Sequence, residues 1–345
     1  MENNRDQKAV KLISVVSSDP FFKTGTVTPV QISDVFNGTF KGIRTGSTTP
    51  DTIFRSSDDV YFAVHYTTVA DASKNAFGGL LVADVEHVPD RPIRLNLEEP
   101  ADVLNILFLT MYGIPCDPYD PSLNSLCAAL QAMHKYGLTP LSRYLSRGDS
   151  PLYATILSQA EHSPLETYAL AGEQDIEDLA VDASTKTLDC VLHTISVELA
   201  GRMGIMYLMR LYRLMDTREE QMKKLFNIDP KLHEERTDCT VEQQKEIRLD
   251  FKYTAGSLCW KYPKVYRNEV ETKLNKVRDD VSCEECKAIL TAEIDGILQG
   301  WMQLPVCAFL TWIRWIGMRI VCLMYYRPPS SLPVPNPQYV VPPTV

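Results

Sequence analysis

No Gly-rich phosphate loop, no Gly-x-Ser-x-Gly elbow and no His-Glu-x-x-His pair occurs in this sequence. The first absence removes the usual cradle for a nucleotide phosphate. The second removes the exposed serine of an α/β-hydrolase, and the third the two-histidine grip on a catalytic zinc. Gly38, Gly42 and Gly46 stand four apart in a Thr/Ser-rich stretch, but no Lys-Ser or Lys-Thr follows them, so they read as turn glycines. Histidine is scarce: six scattered residues give no triad by spacing alone. Basic charge is short as well. Lys and Arg number 35 against 44 Asp and Glu, a formal net charge of −9, which disfavours nucleic acid as a partner. No N-terminal signal peptide is legible, and nine cysteines in 345 residues do not make a disulfide framework. The expected compartment is therefore intracellular, cytoplasmic or nuclear, with free thiols. The expected chain is non-catalytic and carries no cofactor.

What is present begins with a stretch from Asp51 to Tyr144. Thr52-Ile-Phe54 and Tyr61-Phe-Ala-Val64 are short apolar runs either side of Ser56-Ser-Asp-Asp59, the pattern of a β-hairpin. A helical segment follows from about Thr67 to Phe77. Ile93-Arg-Leu-Asn-Leu97 alternates apolar and polar with period two, as a half-buried strand does. A helix opens at Pro100 with Asp102 in its first turn, carries Leu104, Leu107, Phe108, Met111 and Tyr112 at helical spacing, and stops at Gly113. Ser122 caps the next, which buries Leu123, Leu126, Cys127, Leu130 and Met133 and ends at Gly137. Thr139-Pro140 reads as the start of a third. A three-stranded sheet covered by helices is expected. Its core should contain Phe54, Phe62, Val64, Leu95, Leu104, Leu107, Phe108 and Met111.

Asp51, Phe62-Ala-Val-His65, the pair Ser73 and Phe77, the helix Leu107-Phe-Leu-Thr-Met-Tyr112 and Leu130-Gln-Ala-Met-His-Lys-Tyr136 stand in the order of a BTB/POZ domain. About a third of the chain resembles that family, and the Arg55-to-Val60 run is similar to its members in mushroom-forming fungi. The resemblance implies an α+β fold, with a BTB-like domain followed by an all-helical region. It also implies a protein–protein interaction role as adaptor or scaffold, with self-association or partner docking through residues 46–150. Recruitment of a cullin-type ubiquitin ligase, which some members perform, is an alternative. The family-motif positions are Asp51, Phe62, His65, Phe77 and Tyr112. His65 is readable as a titrating switch. The resemblance favours instead a structural residue at a strand–helix junction, its ring proton given to the backbone.

Residues 1–45 are polar and turn-rich and read as a loose arm, with weak apolar patches from Val10 to Val16 and Val27 to Phe36. Residues 151–300 read as a helical extension. Ser150-Pro151 and the capping box Ser163-Pro-Leu-Glu166 start helices, the second ending at Gly172. Another runs from about Asp175 to Ala183. Leu188 to Met215 fits a long amphipathic helix or a pair, and Thr217-Arg-Glu-Glu220 is a second capping box. Asn227 to Gln244 reads as loop, Phe251 to Pro263 as a short aromatic stretch, and Val265–Val277 and Ala288–Trp301 as helices.

Cys283-Glu-Glu-Cys286 is a Cys-x-x-Cys pair with Cys259, Cys239 and His233 upstream. Four such groups can hold Zn²⁺. The upstream cysteines are not themselves closely spaced, so the sequence argues against metal and for two thiols on one helical face. A redox role needs a βαβ context, which is lacking. The almost wholly apolar run Leu304–Tyr326 reads as a C-terminal helix over residues 301–327. Arg314, Arg319 and the mid-run Trp312 and Trp315 argue for a buried helix over a bilayer span, leaving membrane attachment as the alternative. Residues 328–345 form a Pro-rich tail without Pro-x-x-Pro.

Overall fold

The computed structural model describes residues 12–15, 30–37, 49–81 and 92–308, with residues 12–15 and 30 described by backbone alone. The fold is mixed α+β: a small sheet at one end and helices through the rest. Strand β3 (Thr52–Arg55) and strand β4 (Val60–Val64) form the expected hairpin, with Phe54 opposite Phe62. Its turn is held by Ser56, whose Oγ accepts from the Val60 amide at 2.9 Å, and by Asp59 in a left-handed conformation. Strand β5 (Ile93–Asn96) lies parallel to β3, placing Leu95 beside Phe54.

The sheet has five strands where three were expected, in the order β1-β2-β4-β3-β5. The two additions are β1 (Leu12–Val15) and β2 (Val30–Ser33), which correspond to the two weak apolar patches of the arm. They pair antiparallel with each other, and β2 runs parallel to β4. Alternation sends Val60, Phe62 and Val64 into the main core, while Ala63 joins Ile32 and Ile53 in a small cluster on the opposite face.

After β4 come α1 (Tyr66–Ala72) and the short turn α2 (Ala76–Gly79). The central helix α3 (Ala101–Tyr112) buries ten of its twelve residues, and the hairpin's Asp58 accepts from the Ala101 amide at 2.9 Å at its open end. Helix α4 (Leu123–Lys135) is capped by Ser122 as expected. The expected third helix is only a 3₁₀ turn, Leu141–Arg143. All the expected core residues are buried except Leu95, which is half-buried because β5 is an edge strand.

The remainder is helical: α5 (Pro151–Ser158), α6 (Pro164–Glu173), α7 (Glu177–Ser184), α8 (Val197–Phe226), α9 (Val241–Cys259), α10 (Arg267–Asp279) and α11 (Glu284–Met302). Several local expectations are corrected. Ser163 makes no side-chain cap, and α6 passes through Gly172. Thr217 starts nothing, because α8 runs past it with Met215 and Met222 both buried. A capping box does form at Thr240 with Gln243, and the aromatic stretch after Phe251 continues α9.

Packing does not divide at residue 150. One core gathers side chains from Phe36 to Met215, so α5, α6 and α7 share it with the sheet. A second core runs from Met222 to Leu304. Helix α8 belongs to both, and the chain returns to the first core at Ala308, whose amide donates to Ser184 Oγ at 2.9 Å. Most of the apolar C-terminal run and the Pro-rich tail lie outside the described residues. Among those described, no helix is long and apolar enough to cross a membrane.

Candidate functional site

The five motif positions converge, and what they build is the joint between hairpin and helices. Asp51 precedes β3, and its Oδ1 accepts from the Tyr66 amide at 2.6 Å and from Thr52 Oγ1 at 3.1 Å. His65 follows β4 directly and stands at the N-cap position of α1, only 2% exposed. Its amide donates to the Tyr112 hydroxyl at 2.9 Å, and Tyr112 lies 2.8 Å from Nδ1. The phenol oxygen accepts the amide proton and shares a second hydrogen bond with Nδ1. Nδ1 of the ring thus faces a phenol on α3. Burial raises the Tyr112 pKa, against the lowering by the His65 amide.

Phe62 packs on Phe108 with centroids 5.4 Å apart. Phe77 lies against Phe54 and stacks on Tyr136 at 4.2 Å. Phe77 is held left-handed, its amide donating to Ser73 Oγ at 2.7 Å while Ser73 donates to the Tyr136 carbonyl. These side chains fasten β3, β4, α1, α2, α3 and α4 together and are buried or engaged.

Open apolar surface lies elsewhere. Within residues 49–150, large apolar side chains are buried or half-buried among the described residues. The exposed ones run from Val197 to Val306. A groove of about 1180 Å³ lies between α8, α9 and the 190–195 segment. Its walls include Met209, Tyr212 and Met215 on α8 and Trp260 at the end of α9, with Lys223 and Lys252 also lining it. Trp260 is 90% exposed and Tyr212 54%. The signal was present in the sequence: α8 carries apolar residues on too many faces for one buried stripe. Met203, Tyr207, Leu211 and Leu214 go inward, leaving Ile205, Met206, Met209 and Tyr212 outside.

A second constellation joins residues the sequence kept apart. His233, Cys239, Cys283 and Cys286 bring one ligand-type atom each to within 4.8 Å of one another. Cys283 is the N-cap of α11, and Cys286 follows in its first turn. His233 and Cys239 sit on the loop after α8, where Arg236 and Cys239 exchange backbone hydrogen bonds at 3.1 Å in a tight turn. Arg236 reaches Glu285 at 2.7 Å and fastens that turn to α11. His233 Nε2 is 3.2 Å from Cys283 Sγ, and Cys239 Sγ is 3.7 Å from Cys286 Sγ. The backbone N–H of Cys286 lowers the Cys283 pKa to about 7, with His233 adding to the effect. Burial pushes Cys286 up to about 12. Cys259, weighed with this group in the sequence, stays outside it.

Comparison with family models, curated proteins and solved structures finds no match.

Proposed function

We propose that the chain is a non-catalytic protein–protein interaction module of BTB/POZ type, acting as an adaptor or scaffold. The observation that carries this reading is the groove between α8 and α9. Its wall on α8 from Leu208 to Lys223 extends about 22 Å, roughly four turns of a partner helix, with Leu208, Met209, Tyr212 and Met215 at one end and the charged Asp216, Glu219 and Lys223 at the other. Methionines fit partners of varied shape, and exposed Tyr and Trp are the side chains that anchor interfaces. Two lysines and two carboxylates among the lining residues give a docked segment its direction. The occupant is an amphipathic helical segment of another protein.

Support for the BTB-type part comes from the order of elements in residues 46–150. A hairpin is followed by short helices, a third strand parallel to the first and two helices packed on each other, α3 and α4. Sequence reasoning assigns docking to that half. The exposed apolar residues favour the helical half as the docking surface, with the sheet-bearing half as its support.

The test is selection of amphipathic-helix peptides on the full-length chain, followed by affinity measurement on a Tyr212→Glu/Trp260→Ala variant. The expected result is at least a tenfold loss of affinity with an unchanged melting temperature. Equal binding to both proteins, or no selected peptide above background, refutes the reading.

A further inference from the structure

The metal-ligand chemistry at the end of α8 is independent of the groove and points to a different property. We propose that His233, Cys239, Cys283 and Cys286 form a structural Zn²⁺ site. Three thiolates and one imidazole are a donor set of structural zinc, and their spacing here is His-x₅-Cys followed by Cys-x₂-Cys. The second close pair, which the sequence seemed to lack, is His233 with Cys239; no upstream Cys-Cys pair is needed.

The four ligand atoms lie within 4.8 Å of one another, and two of their separations stand near those around one tetrahedral ion. Zn–S bonds of about 2.3 Å at the tetrahedral angle set sulfurs about 3.8 Å apart, and a Zn–N bond of about 2.05 Å sets nitrogen about 3.6 Å from sulfur. The structure has 3.7 Å between Cys239 and Cys286, and 3.2 Å between His233 and Cys283. A disulfide would need about 2.05 Å between sulfurs. It would also leave the other thiol and the imidazole of the cluster without a role.

The imidazole is already oriented. His233 Nδ1 lies 2.6 Å from the Glu234 carbonyl, which can only accept, so Nδ1 carries the proton and Nε2 turns its lone pair to the thiols. Gln244 lies 3.4 Å from the same Nδ1 and is the weaker contact. Cys283 and Cys286 meet because N-cap and third-residue side chains face each other across a helix's first turn. All four positions of the tetrahedron are protein groups, which leaves none for water or substrate. The ion is therefore a fastener and not a catalyst. It ties the loop after α8 to the start of α11, closing the second core, to which Cys239 and Cys286 belong.

The experiment uses the full-length chain, purified without chelator and analysed for metal by mass spectrometry. About one zinc per chain is expected, with loss to background in Cys283→Ser/Cys286→Ser and retention in Cys259→Ser. Because the double variant can fail to fold, the wild-type chain stripped of metal is also titrated with Co²⁺. A tetrahedral ligand-field spectrum with thiolate charge-transfer absorption, and a melting temperature raised by Zn²⁺, support the site. No zinc as purified together with no cobalt–thiolate absorption overturns it. So do zinc content unaffected by the double substitution, and a Cys239–Cys286 disulfide found by peptide mapping of the protein as isolated.

Discussion

Gly172→Ala tests a close approach of backbone to backbone in the helical half. Gly172 lies on α6, which passes against α8 where that helix kinks at Gly204. A methyl group at residue 172 would stand 2.6 Å from the Met203 carbonyl oxygen and 3.1 Å from Cγ of Tyr207. At 2.6 Å from a backbone oxygen, one of the two helices must move. Moving α8 strains the hydrogen bond from Tyr168 to the Tyr207 carbonyl, 2.9 Å long and fully buried. Overpacking of this kind costs about 1–3 kcal/mol, and the backbone contact puts it in the upper part of that range. Alanine's helix propensity returns about 1 kcal/mol. The net expectation is a loss of about 1–2 kcal/mol. Gly201→Ala is the internal control. It lies on α8 with nothing within 4 Å of the new Cβ, so propensity alone should stabilise it by about 0.5–1 kcal/mol. Urea unfolding of both variants reads the difference, with thermal shifts of roughly 2–4 °C per kcal/mol. If Gly172→Ala melts at or above the wild type, α6 and α8 do not pack this closely at Gly172.

Tyr112→Phe removes the acceptor of the buried His65 amide and should cost about 1–3 kcal/mol in urea unfolding; a loss within about 0.5 kcal/mol would show that this hydroxyl does not secure the joint. Glu99 accepts from Lys135 and Tyr136, whose hydrogen bonds outweigh burial and lower its pKa. Its contribution is therefore complete above the ordinary carboxylate range and disappears as pH falls through the lowered folded-state value. Glu99→Gln should be less stable than wild type at pH 7 by about 1–2 kcal/mol, with the gap narrowing below about pH 4.3; a gap that stays constant with pH refutes the assignment.

The hairpin, α3 and α4 were legible because their signals are local: a Ser/Asp turn between apolar runs, a Ser cap, an apolar stripe. Strands β1 and β2 were not. Each has four residues, and β2 finds its partner, β4, nearly thirty residues on, so nothing local marks the pairing beyond weak apolarity. The two Thr-x-x-Glu/Gln patterns show the limit sharply. Thr240 caps α9 because it leaves a loop in extended conformation. Thr217 carries the same type of pattern but sits between buried Met215 and Met222, whose packing keeps the helix going. The Cys-x-x-Cys pair was visible, whereas its partners arrive only when α9 and α10 fold back over some forty residues. The surplus apolar faces of α8 pointed to uncovered surface, but periodicity does not tell which of those residues stay uncovered, so the groove itself could not be placed.

The return of the chain to Ser184 through Ala308 has an entropic consequence. Between Met215 and Ala308 the chain makes an excursion of about 90 residues with both ends held by the first core. While the second core is folded, that excursion is short and stiff, and docking the far end costs little. Once it unfolds, holding the same two points together confines a random coil, at about 4 kcal/mol from the (3/2)RT ln n dependence. The hydrogen bond from Ala308 to Ser184 and the burial of the alanine each contribute less than that. Opening the second core thus also weakens the hold of the first core on Ala308, so the two cores are coupled through the return of the chain even where their side chains do not meet.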